Sequence, residues 1–110
     1  MGRVPDEEAA EEVNRRMSIR WTRLALSDVG RLSDFIGADD PELAQSIEDL
    51  LVGAPRLLLE FPRRGSRLDQ YKPREVRELP VRRYRMRYEL TDRDIFILRF
   101  FHGREDRAYS

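Results

Sequence analysis

The sequence contains no cysteine and a single histidine, His102. Disulfides, thiolate nucleophiles and cysteine-based zinc sites are therefore excluded, and a histidine-rich metal centre with them. Lysine is almost missing too, since Lys72 is the one lysine among 21 basic residues. No apolar run is long enough to span a bilayer and no signal-peptide pattern is present, so a soluble cytoplasmic protein is expected. P-loop, dinucleotide-binding and zinc-ligand spacings are all missing, and no cofactor or metal is expected. Residues 1–16 hold only Val4 and Val13 as larger aliphatic side chains. They are expected to form a flexible acidic extension, leaving 17–110 as one folded domain.

What is present is arginine, unevenly placed. The chain has 110 residues and a formal net charge of zero, from 21 basic and 21 acidic side chains. Residues 1–16 carry −2, residues 17–55 carry −4, and residues 56–110 carry +6. The second half is thus an arginine field that the neutral total conceals. Arginine offers a rigid multi-donor fork suited to phosphates and carboxylates, so nucleic acid and an acidic protein are both compatible partners.

The apolar periodicity gives an α+β order of elements. Residues 18–25 alternate and read as a first strand. Ser27 then stands as N-cap with Asp28 in the first turn, before a helical stripe at Val29, Leu32, Phe35 and Ile36 that Gly37 ends. Asp39 or Asp40 caps a second helix with Pro41 in its first turn and Leu43, Ala44, Ile47, Leu50 and Leu51 inward. The short link between the two requires an antiparallel helical hairpin. Residues 56–61 are open between helix and strand, and 62–75 read as a loop. Strands follow at 76–81, 84–90 and 95–101, the last two joined as a hairpin. The strand at 76–81 either ends at Pro80 or leaves that position without a hydrogen-bonding neighbour. Two helices can cover one face of such a small, mostly antiparallel sheet and leave the other open.

The period of two puts Arg83, Arg85 and Arg87 in one row on that open face, with Tyr84, Met86 and Tyr88 in the core. Phe96, Leu98 and Phe100 are expected to meet the helices. That would leave Arg99 beside the arginine row, sharing its face with Ile95, Ile97 and Phe101. Glu78 and Glu89 are candidate ion-pair partners, because a charge inside a central strand needs one. His102, directly after the last strand, could serve with nearby arginines and Tyr109 in RNA cleavage. A strand-end histidine making a backbone contact is the simpler reading, and Trp21 is most simply core.

From Ile19 to Asp106 the chain resembles the RelE/ParE toxins of bacterial type II toxin–antitoxin pairs. The matching pieces are IRWT, DDPELAQSIEDL, the arginine-rich loop with Pro62 and Gly65, VRELPVRRYRMRYEL and DIFILRFFHGRED. The resemblance implies the same strand, helical hairpin and three-strand order. It also implies a cognate antitoxin from a neighbouring gene, in a hetero-oligomer with the toxin. One branch of the family poisons DNA gyrase, and Arg77-Glu78-Leu79, Val81, Tyr84-Arg85 and Tyr88 lean towards it, as does Ile97 to Asp106. A target-binding patch of Arg99, His102, Arg104 and Arg107 would follow, with Arg83, Arg85, Arg87 and Arg99 facing the antitoxin. The other branch cleaves messenger RNA on the ribosome, and for it Arg77, Arg104 and Tyr109 are the candidate catalytic residues. The lysines that branch uses are missing here. A non-toxic antitoxin-binding module is the third reading.

Overall fold

The computed structural model describes residues 17–103. The extension at 1–16, and Arg104, Arg107 and Tyr109, lie outside them. Strand β1 (Ser18–Trp21) leads into helix α1 (Arg23–Ile36), then α2 (Pro41–Gly53). A 3₁₀ turn (Ala54–Arg56) and the one-turn helix α3 (Leu57–Glu60) follow. The strands β2 (Ser66–Arg67), β3 (Glu75–Val81), β4 (Tyr84–Leu90) and β5 (Asp94–His102) complete the order. They form one five-stranded sheet in the order β1-β5-β4-β3-β2. All pairs are antiparallel except β1 with β5. The expected α+β architecture is present, with the helical hairpin on one face of a mostly antiparallel sheet.

Several boundaries differ from the expectation. The first strand stops at Trp21 because Thr22, not Ser27, caps α1: its hydroxyl accepts from the Ala25 amide at 3.1 Å. Starting five residues earlier, the helix buries Ala25, Val29 and Leu32, a stripe at intervals of four and three. Phe35 falls off that stripe and is 81% exposed. In α2 Asp40 is the cap and Pro41 the first helical residue, as the sequence indicates, but Leu43 is exposed rather than inward. The stretch 62–75 is not purely loop, since β2 and a 3₁₀ turn at Asp69–Tyr71 lie within it. Strand β3 runs through Pro80 to Val81. Proline is tolerated there because β2 pairs only with Arg77 and Glu78, so no neighbour needs a donor from position 80.

The core joins the helices to one sheet face. Tyr84, Met86, Tyr88 and Leu90 of β4 and Leu79 and Val81 of β3 pack with Ile47, Leu51 and Leu58. From β5 the contributors are Ile95, Ile97 and Phe100, with Trp21 tilted against Phe100 at 5.7 Å between ring centres. The expected trio Phe96, Leu98 and Phe100 is therefore corrected: only Phe100 belongs to this face. Arg87 opposes Arg99 while the next residue, Tyr88, opposes Ile97, so Leu98 is the extra residue of a β-bulge. A bulge shifts the alternation by one, and inward residues change from odd to even numbers across it. Arg99 does reach the other face, together with Phe96 and Phe101 rather than with Ile95 and Ile97. Among the described residues no helix is long and apolar enough to cross a membrane.

Candidate functional site

The face of the sheet away from the helices carries the arginines, and it is organised by two buried carboxylates. Glu78 on β3 lies opposite Arg87 on β4 and is 6% exposed. Its Oε2 accepts from Arg87 Nε at 3.0 Å and Nη2 at 2.8 Å, and its Oε1 pairs closely with Arg85. Asp28 on α1 is 3% exposed and accepts from Arg99 Nε at 2.7 Å and Nη2 at 3.1 Å. It also accepts from Arg31 at 3.1 Å and from the Phe100 amide at 2.9 Å. Strand β1 ends at Trp21, so among the described residues the edge of β5 beyond Ile97 has no strand neighbour. Asp28 and the Thr22 hydroxyl, which donates to the Ile97 carbonyl at 2.8 Å, occupy that edge instead. Glu78 is thus a partner as expected, but Arg99 takes Asp28, and Glu89 takes Arg74 at 2.8 Å.

Aromatic rings tie the two ion clusters together. The guanidiniums of Arg87 and Arg99 each lie 4.9 Å from the centre of the Phe101 ring. Arg87 also donates to the Tyr71 hydroxyl at 3.2 Å. Two like charges directly across a strand pair would repel. Here each binds a carboxylate, Glu78 for Arg87 and Asp28 for Arg99, and both lie against the Phe101 ring. With Thr22, Leu24 and Leu98 they line a shallow depression of about 420 Å³. The row expected of Arg83, Arg85 and Arg87 is shortened, because Arg83 lies in the turn between β3 and β4.

Arg77 lies on the opposite, helix-side face. Its Nη1 donates to the Gly65 carbonyl at 2.7 Å and the Arg63 carbonyl at 3.2 Å, while its Nε donates to Glu75 at 2.8 Å. Beside it the buried Tyr88 hydroxyl donates to the Pro62 carbonyl at 2.7 Å and accepts from the Gly65 amide at 2.9 Å. A side chain at Gly65 would meet that hydroxyl at 2.7 Å, so glycine is needed where loop and ring approach. Hydrogen bonding from Arg63, then Arg77, holds the Glu75 carboxyl below the ordinary glutamate range. Burial pushes the Tyr88 phenol up. Arg74 lowers Glu89 in the same way as Arg63 lowers Glu75.

His102 pairs with Tyr84 across β4 and β5 and meets its ring edge-on at 5.7 Å. It therefore shares the helix-side face with Tyr84 and is separated by the sheet from Arg87 and Arg99. The structure brings Arg85, Arg87 and Arg99 together and keeps Arg77 and His102 away from them. Asp28 and Tyr71 belong to the arginine layer and were not singled out from sequence for it, whereas Phe101 was placed on the face of Arg99. Arg87 and Arg99 gave a signal for partners, but not for an aspartate more than seventy residues away.

A family profile described as "ParE toxin of type II toxin-antitoxin system, parDE" matches residues 19–107. The chain belongs to the RelE/ParE-like toxin family. Among similar proteins is Toxin RelE2 of Caulobacter vibrioides, 37% identical over 83 residues, which are 76% of this chain and 91% of that protein. A solved structure titled "Chromosomal ParDE TA system from P. aeruginosa" matches with a TM-score of 0.66 at 24% identity. That match covers 79% of this chain and 96% of the other, and it bears on the fold alone. A toxin role within a toxin–antitoxin system follows for this member, with an antitoxin as its partner.

Proposed function

We propose that this toxin arrests growth by holding DNA gyrase on DNA, and that it is not a messenger-cleaving nuclease. The observation that carries the reading is the state of Arg77. An arginine that stabilises a reacting phosphate must aim its donors at the phosphoryl oxygens. Arg77 instead commits Nε and Nη1 to Glu75 and two loop carbonyls, and its side chain is only 16% exposed. His102, the one histidine, lies across the sheet from the arginine cluster. An interaction surface needs no proton transfer, and because His102 lies across the sheet from Arg99, the target surface in this reading is centred on Arg99 and not on a single patch with His102. The matched family description names ParE and the Caulobacter relative is named RelE2, so the names favour neither target.

The antitoxin is proposed to lay an amphipathic helix over the helical hairpin, continuing as an extended stretch along the sheet margin. Leu24, Leu26, Phe35 and Leu43 on α1 and α2 are exposed apolar side chains for it to cover. Its acidic residues would face the more exposed Arg83, Arg85 and Arg99, and not the buried Arg87, and steer association, so salt should weaken the complex. The test in cells is induced expression with and without the antitoxin. Gyrase-linked linear DNA in arrested cells is the expected result. Ribosome-dependent transcript cuts would instead favour the nuclease reading, and no arrest a non-toxic antitoxin-binding module.

A further inference from the structure

The connection between β3 and β4 is two residues long, Arg82 and Arg83, with Val81 paired to Tyr84 on either side. Arg82 has φ of 58°, and among the described residues it is the only non-glycine with positive φ. Glycine, asparagine or aspartate is the usual occupant of such a hairpin position, because a bulky side chain is strained there. The turn is also pinned: the Gly103 amide donates to the Arg83 carbonyl at 2.8 Å. Both arginines are exposed. They line both of the recesses that flank the tip. One, of about 560 Å³, is lined by Ser66, Glu78, Pro80 and Arg85, and the other, of about 900 Å³, by Leu43, Ile47 and Leu50.

A strained position kept by a charged residue points to use of its side chain rather than to folding. We infer that this hairpin tip binds the phosphodiester backbone of duplex DNA. A two-stranded ribbon carrying two adjacent exposed guanidiniums at its tip fits between the phosphate-lined walls of a DNA groove. Arg85 stands next along the strand. Its partner Glu78 is shared with Arg87, so the polar recess keeps a positive balance. The inference deepens the gyrase reading, since DNA held by gyrase would offer such phosphates to the toxin.

The test is fluorescence anisotropy of a labelled mixed-sequence 20-base-pair duplex titrated with the full-length toxin, without gyrase, at several salt concentrations. Wild type should bind in the micromolar range at low salt, with a log–log salt slope of about −2. Arg82→Gly should weaken binding about five- to tenfold and reduce the slope by about one, while the melting midpoint stays level or rises. Arg82→Lys should recover part of the binding. The remote Arg56→Gln should bind as wild type does. Equal losses in R82G and R56Q would overturn the inference, as would unchanged DNA binding in R82G. So would an R82G effect confined to the antitoxin complex, which would assign the tip to an acidic protein. Gyrase poisoning without any DNA binding would overturn this inference alone. Arg82-dependent DNA binding without an effect on gyrase would support it and remove the gyrase reading.

Discussion

The two faces of the sheet are made from the same strands by opposite means. On the helix side, Met86, Tyr88, Ile95, Ile97 and Phe100 are fully buried and the face is held by packing. On the other side no helix among the described residues covers the strands, yet Glu78 and Arg87 are almost as inaccessible, at 6% and 7% exposed. That face is closed by its own ion pairs and by rings stacked on guanidiniums. The comparison teaches that an alternating arginine strand need not be a solvated surface. Two carboxylates can turn it into a layer whose inner members are structural, leaving the outer arginines for partners.

The comparison can be broken first by cutting into the packed face. Phe100→Ala should cost about 3–5 kcal/mol in denaturant unfolding, against a much smaller loss for the half-buried Phe96→Ala. Equal losses would contradict the bulge at Leu98. On the ionic face, Asp28→Ala removes the carboxylate that binds Arg99 twice and leaves the Phe100 amide without its acceptor. The expected cost is about 3 kcal/mol, visible as a lower denaturant midpoint. An effect below about 1 kcal/mol would mean that water replaces the carboxylate, as at an ordinary surface pair. Next comes Tyr88→Phe, which keeps the packing and removes two hydrogen bonds to the 62–65 loop. A cost of about 1–3 kcal/mol is expected.

The smallest effect concerns pH. Glu75 and Glu89 have carboxyls lowered by arginine hydrogen bonds. A lowered folded value contributes stability that is present above the unfolded value of about 4.3 and lost as pH falls through the folded one. Melting midpoints should therefore decline below about pH 4.3. The decline should be shallower in Glu75→Gln, and an unchanged slope would remove Glu75 from the account.

Much of this architecture is local in origin, and that part was legible. The Tyr84-to-Leu90 alternation, the Asp40-Pro41 helix start and the stop at Gly37 each follow from neighbouring residues. What escaped depends on distant partners. The bulge at Leu98 exists only in the pairing of β5 with β4, and no run of apolar residues announces it. Asp28 reads as a first-turn acid until Thr22 moves the helix start and carries it to Arg99. For the candidate site, the basic character was legible and its division between two faces was not. Arg77 and Arg87 look alike in the sequence, yet one holds a loop and the other joins the ionic layer.

The most direct test of the functional account adds the purified full-length toxin separately to gyrase with plasmid and to ribosomes carrying a defined messenger. The account predicts linearised plasmid linked to gyrase and an intact messenger, with His102→Gln retaining most of the effect. Cleaved messenger beside unaffected gyrase would contradict it.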